Sequence, residues 1–186
     1  MTTSLVGLAG SARSGKDTAG QGLVTLGWQR RAFADAVKNL LYQMDPVVMS
    51  PMSRAIKMPL QEAVDFHGWE SVKKADPAVR RYLQRLGTEA GRGILGESVW
   101  VDALFDDADA WGPTIITDVR FPNEAEAIRE RGGLVVEVVR PGQTLIAEAG
   151  HSSETALAEW AFDATLVNDG TEETLRQQLR DLTQSR

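Results

Sequence analysis

GLAGSARSGKDTAG, residues 7–20, follows an apolar run that starts at Ser4 and opens a helical pattern that starts at Lys16. Gly10, Gly15 and Lys16 satisfy the spacing G-x-x-x-x-G-K. Placement matters as much as the letters. Glycines let successive backbone N–H groups wrap an anion, the helix N-terminus adds its dipole, and a lysine at the helix start adds a point charge. Such a strand–loop–helix unit binds phosphate groups, with Lys16 placed for the β/γ pair of a nucleoside triphosphate such as ATP. Arg13 and Ser14 lie inside the loop. Asp17 departs from the usual form, where Ser or Thr holds Mg²⁺ through a hydroxyl, and Thr18 offers that hydroxyl one place later. Asp17 can order a metal-bound water or face the acceptor. It equally suits a helix start, where the dipole favours an acid.

Beyond the loop, apolar runs bounded by turn signals predict strands at residues 4–8, 28–33, 113–117, 134–139 and 163–167. Helical patterns fall at 16–26, 35–44, 123–131 and 171–183. Strands alternating with helices imply an α/β fold, a parallel sheet covered on both faces. From Pro46 to Trp111 the alternation stops, and the pattern predicts helices only, at 58–66, at 77–86 continuing towards Arg92, and at 99–110. Asp76 suits an N-cap and Pro77 the first turn of the middle one. The chain reads as one domain, 1–186, with a core of 1–45 and 112–186 and a helical insertion of about 46–111. An acceptor-binding subdomain would look like this insertion, and so would a helical elaboration without a ligand.

The 186 residues are 42% apolar, carry a net charge of −6 and include no cysteine. Disulfides, thiolate metal sites and thiol catalysis are thereby excluded, and a cytoplasmic setting fits. Without a basic tract, stable binding to a nucleic-acid polymer is not expected, because it needs many phosphate-neutralising cations. No stretch approaches about 18 apolar residues, so no membrane span is expected. The opening residues MTTSLVGLAG lack a basic region and read as a first strand rather than a leader.

Three further places carry candidate chemistry. In PTIITDVRFPNEAEAI an apolar strand ends in Asp118, followed by Arg120. Ligands of open α/β sheets bind beyond the carboxyl ends of strands, so Asp118 can hold the waters of a metal and Arg120 can fork over phosphoryl oxygens. A surface ion pair, Asp118–Arg120 or Arg120–Glu124, is the alternative. Asp35 and Lys38 follow the second strand and suit either an acceptor contact or a helix cap. After the fifth strand, VNDGT makes a turn in which Asn168 can flank the adenine and Thr171 can cap the last helix. Finally, at about 100° per helical residue, Arg81, Arg85, Thr88 and Arg92 fall within roughly 60° of one another. Tyr82, Leu83, Leu86 and Ala90 fall opposite, as the expected core face. Such a stripe, with Gln84 beside it, is either a solvated basic face or the site for an acceptor's phosphate and base. Glu89, about a quarter-turn away, relieves only part of the repulsion.

Taken in order, GSARSGKDT, RRYLQRLGTEAGR, TDVRFPNEAEAIRERGG, VEVVRPG, HSSETAL and VNDGT resemble the phage-type deoxynucleoside monophosphate kinases over nearly the whole chain. More distantly the chain is similar to dephospho-coenzyme A kinase and animal phosphomevalonate kinase. The resemblance implies a P-loop kinase fold, with a five-stranded parallel sheet in the order 2-3-1-4-5, an acceptor-binding insertion and a short lid at about 140–152. It implies ATP as donor, Mg²⁺ as cofactor, small nucleotides as partners, and the host cytoplasm as location if the gene is a phage's; a homodimer is left open. Carried over, Lys16 would bind the phosphates, Asp17 and Thr18 would complete the loop, and Asp118 and Arg120 would organise metal and phosphoryl group. Arg140, in VVRPG, would be the cation at the lid base. Residues 142–152 contain no Lys or Arg, so Arg13, Arg120 and Arg140 would supply the charge that lid arginines commonly bring. His151 and Glu154 would fix the lid's hinge or start a helix. Transfer to another phosphorylated acceptor, or nucleotide binding without transfer, stays open on these residues.

Overall fold

Parallel strands buried on both faces need near-continuous apolar runs, and LVGLA supplies one: every residue of β1 (Leu5–Ala9) is buried. The computed structural model describes residues 4–142 and 156–184. The chain divides into two compact units, one built from the chain up to Phe33 and from Leu104 onward, the other from Ala34–Ala103.

In the first unit β1 lies at the centre of a five-stranded sheet. The spatial order is β2 (Gln29–Arg31), β5 (Thr114–Val119), β1, β6 (Leu134–Val139) and β7 (Ala164–Val167), with every neighbour parallel. Numbered among themselves, these strands run 2-3-1-4-5, as expected. Helices α1 (Lys16–Val24) and α7 (Glu172–Gln184) bring Ala19, Leu23, Leu175 and Leu179 onto Leu8 and Val136. Each such leucine contributes about 1.5–3 kcal/mol on burial. Side chains alternate between sheet faces, and on the opposite face Ile128 of α6 (Pro122–Glu130) closes over Gly7. The strands and helices of this unit start and stop within two residues of the expected places.

Two local devices shape the ends of this sheet, a bulge at the carboxyl end and a side-chain clasp at the amino end. Gly7 and Ala9 of β1 pair with Ile116 and Val119 of β5, so three steps of β5 match two of β1. Such a bulge re-aims the side chains around it, here Thr117 and Asp118. Below the start of β7, Asp163 exchanges hydrogen bonds with Val135, giving its backbone N–H to the carbonyl and accepting the Val135 N–H on Oδ2. Arg129 of α6 pairs with the same carboxylate at 3.2 Å and lies over the Trp160 ring.

The second unit departs from the expected helices. After α2 (Phe33–Met44), β3 (Val47–Ser50) and β4 (Ser53–Pro59) form an antiparallel hairpin, and Met58, expected to start a helix, lies in a strand opposite Val48. The reason is visible in hindsight: Pro51 at the turn divides two short runs with period-two character, and Pro59 delays the helix to α3 (Leu60–Ala75). Asp76 caps α4 (Pro77–Arg85) as expected, accepting the Ala78 N–H at 2.9 Å. Its other oxygen accepts the Met49 N–H at 3.0 Å and so ties helix to hairpin. Leu41, Val48, Leu60, Ala63, Val72 and Val79 form the core beneath.

Residues 86–95 continue α4 as a π-helix, and α5 (Val99–Phe105) follows. Trp100 explains the widened turns. Its indole N–H donates to the Gly87 carbonyl at 2.7 Å, so a side chain occupies an acceptor that an α-helix would give to its own ladder. Gly91 sits directly on that ring, where a Cβ would overlap Trp100. Gly91→Ala is expected to lower stability by about 1–3 kcal/mol through overpacking, read as a lower urea midpoint; an unchanged midpoint would show that the ring does not hold this helix.

Candidate active site

The loop from Gly10 to Gly15 turns on positive φ: 133° at Gly10, 63° at Arg13 and 110° at Gly15. At Gly15 glycine is doubly required, since a Cβ there would lie 2.5 Å from the Asn168 amide nitrogen. That nitrogen donates to the Ser14 carbonyl at 2.8 Å, while the backbone N–H of Asn168 holds the Val139 carbonyl at 2.8 Å. Asn168, expected beside an adenine, thus fastens the loop to the ends of β6 and β7. The ammonium of Lys16 spans the loop, donating to the Gly10 and Ser11 carbonyls, both at 2.7 Å. Ser14 is fully buried, and among the described residues its hydroxyl has no partner. An unanswered buried hydroxyl costs about 1–3 kcal/mol.

Two cavities meet at Lys16 and Arg140. One, of about 290 Å³, is lined by Arg13, Lys16, Asp17, Thr18, Arg140 and Asn168. The other, of about 400 Å³, lies among Ala12, Lys16, Arg120, Glu137, Arg140 and Phe162. The structure therefore places Arg13, Asp17, Thr18 and Asn168 with Lys16 and Arg140 at one cavity, and Gly10 and Arg120 with Lys16 and Arg140 at the other. Glu137 is a member that the sequence reading missed; a lone charge inside the apolar strand LVVEVV was its signal.

Neither of the ion pairs weighed for Arg120 forms among the described residues. Glu124, buried in the first turn of α6, accepts the backbone N–H groups of Arg120 and Phe121 at 2.8 and 3.1 Å. It caps the helix and fixes the Arg120 backbone while the guanidinium stays exposed to the cavity. Asp118 accepts the Phe33 N–H on Oδ1 at 2.8 Å, so part of this carboxylate holds the start of α2.

The remaining candidates lie in the second unit. Asp35 and Lys38 pair with each other at 3.2 Å, at a recess of about 290 Å³ shared with Asn39, Tyr42 and Trp69. Tyr42 donates to both oxygens of Asp65, and this hydrogen bond pushes its phenol above the ordinary value. On α4, Arg81, Gln84 and Arg85 are exposed, but Arg85 pairs with Glu89 at 3.1 Å, an i,i+4 ion pair. The single stripe ends there, because the π-helix rotates Thr88 and Arg92 off the α-helical line. Tyr82, expected in the core, is exposed; Leu83 and Leu86 pack as expected, against a core that includes Val79. Of the lid, residues 143–152 lie outside the described residues, as do His151 and Glu154.

The strand order, the glycine-bounded loop and the lysine at the start of α1 define a P-loop kinase fold. The crystal structure of TT1252 from Thermus thermophilus shares that fold, with TM-score 0.51 and 18% identity over 100% of this chain and 98% of that one. The family model "Deoxynucleotide monophosphate kinase" matches residues 48–179, and the chain belongs to that family. It is 37% identical over 99 residues to the deoxynucleoside-5'-monophosphate kinase of Escherichia phage T5, a match spanning 48% of this chain and only 38% of that protein. A putative deoxynucleotide monophosphate kinase of Acanthamoeba polyphaga mimivirus is 29% identical over 94% of this chain and 93% of its own.

Ser14→Ala separates a ligand contact from a structural one. Removing an unsatisfied buried hydroxyl should leave the melting temperature equal or higher. Affinity for a nucleoside triphosphate, read by calorimetry, should fall by about fivefold to tenfold, the worth of one hydrogen bond. Unchanged affinity would remove Ser14 from the phosphate site.

Proposed function

We propose that this chain transfers the γ-phosphoryl group of ATP to a deoxynucleoside monophosphate, giving the diphosphate. Membership of the family carries the reading, and the two cavities that share Lys16 and Arg140, one of them also lined by Arg120, support it. In the proposed cycle the loop N–H groups and Ser14 hold the donor's phosphates, Lys16 exchanges its loop carbonyls for phosphoryl oxygens, and Arg13 closes the outer side. Arg120 and Arg140 stabilise the charge that spreads over the transferring group. No covalent intermediate is needed; positioning and electrostatics suffice.

Mg²⁺ belongs to the same proposal. Among the described residues no three His, Asp or Glu side chains cluster, so the donor set fits a metal held by phosphate oxygens and waters, ordered by Thr18, Asp17 and Asp118, rather than by a protein cage. For the acceptor's phosphate and sugar the candidates are Asp35 and Lys38 on α2, and Arg81, Gln84, Arg85, Thr88 and Arg92 on α4 and the π-helix. The acidic balance of the chain argues against a polymeric nucleic acid as the acceptor.

A coupled assay with ATP, Mg²⁺ and each deoxynucleoside monophosphate tests the reading, dTMP and dGMP first. Diphosphate formation from at least one is expected; an inert panel beside turnover of dephospho-coenzyme A or phosphomevalonate would overturn it. Lys16→Ala should reduce kcat by about 100-fold or more in a folded protein, and near-normal turnover would remove the loop from the mechanism. Arg120→Ala is expected to lower kcat by more than it raises KM for ATP; the reverse split would make Arg120 a ground-state contact of the donor.

A further inference from the structure

Glu137 is the one charged residue in β6, LVVEVV, a strand buried at four of its six positions. It pairs in register with Ala9, the residue before the phosphate loop. Its side chain is half-buried at the 400 Å³ cavity, and among the described residues its carboxylate makes no hydrogen bond or ion pair. A valine here would match the rest of the strand, whereas a carboxylate brings acceptor capacity that no described residue uses.

The cavity indicates what that capacity suits. Arg120, Arg140 and Lys16 line it and suit phosphoryl oxygens. A carboxylate cannot face those oxygens, because like charges at contact distance repel; it has to face a donor. Around it the wall is apolar, from Val119, Val139, Leu157, Ala158 and Phe162. Apolar walls with one aromatic ring suit a flat heterocycle, and the volume lies in the range of small-molecule sites. All of these residues belong to the first unit.

Resting on the phosphotransfer reading, we propose that this cavity holds the acceptor's nucleobase and that Glu137 reads its edge, favouring guanine. Guanine presents a ring N–H and an exocyclic amine side by side, two donors for the two carboxylate oxygens, in the charge-assisted bidentate form that is strongest. Thymine offers one N–H between two carbonyls, which would face the carboxylate oxygens. Adenine and cytosine offer an amine beside a bare ring nitrogen. Hypoxanthine keeps the ring N–H of guanine and loses the amine.

The test is steady-state kinetics of the full chain with ATP and Mg²⁺ on dGMP, dIMP and dTMP, for the wild type, Glu137→Gln and Glu137→Asp. The wild type should prefer dGMP over dIMP by about tenfold, one of the two hydrogen bonds. Glu137→Gln should lower the ratio of kcat/KM for dGMP to that for dTMP by about 100-fold, the worth of a bidentate pair. Glu137→Asp, one methylene short, should lower the same ratio by less and guards against a Gln variant that fails to fold. A ratio unmoved in a variant that melts with the wild type overturns the base pocket. Equal losses on all three acceptors also overturn it, because they place Glu137 at the sugar or phosphate. A wild type inert on every deoxynucleoside monophosphate overturns the phosphotransfer reading itself, whereas activity on dGMP with an unmoved ratio overturns only the pocket.

Discussion

A loop that turns several N–H groups toward one point has to satisfy its carbonyls elsewhere, and here two side chains take three of them. Lys16 holds the carbonyls of Gly10 and Ser11, and Asn168 holds that of Ser14. The positive φ angles at Gly10, Arg13 and Gly15 put the chain in a conformation that only such outside partners stabilise. Asn168 is itself held by the Val139 carbonyl at the end of β6. The loop therefore inherits its shape from strands that lie more than a hundred residues later in the chain, and the sheet order is a condition of the site.

The same bonds bear on how the loop meets an anion. The Lys16 ammonium has only three donors, and two already serve the loop. In the proposed cycle a phosphate group that draws Lys16 outward would free the Gly10 and Ser11 carbonyls, so one charge would serve both the ligand and the ligand-free loop. Asn168 has no such double duty, because an amide gains little from a phosphate that a backbone carbonyl does not already give. Binding would then cost one of these two side-chain supports and leave the other standing, which would confine the rearrangement to the mouth of the loop.

How far the sequence discloses this depends on the range of the interaction. The strands and helices of the first unit are legible because burial on both faces demands unbroken apolar runs, and the loop is legible because positive φ demands glycine at fixed spacing. The β3–β4 hairpin was hidden because neither VVMS nor SRAIKMP is an unbroken apolar run or a strict alternation, and Met58 fits either pattern. The π-helix at 86–95 was hidden for another reason: its cause is the Trp100 indole, which no helical period encodes. On α4 the expected stripe assumed ideal geometry, and one widened turn was enough to disperse it. Asn168 was legible as a turn residue, but its bond to the Ser14 carbonyl was not, because a turn residue's partner across the sheet is a tertiary fact.

Three acids around the loop show why residue type alone does not assign a role. Glu124 is buried, yet two backbone N–H groups at the start of α6 answer it, so it builds the helix cap that sets Arg120. Asp118 stands at a strand end where metal-binding acids are sought, yet one oxygen is engaged by the Phe33 N–H, which leaves it able to order water more readily than to bind a cation with both oxygens. Glu137 sits in an apolar strand where sequence would suggest packing, and it is the one of the three whose carboxylate meets no donor among the described residues. The donors available within about 3 Å decide between cap, tether and ligand contact. By that criterion the residue whose position looks least functional in the sequence is the one with the most capacity left for a substrate.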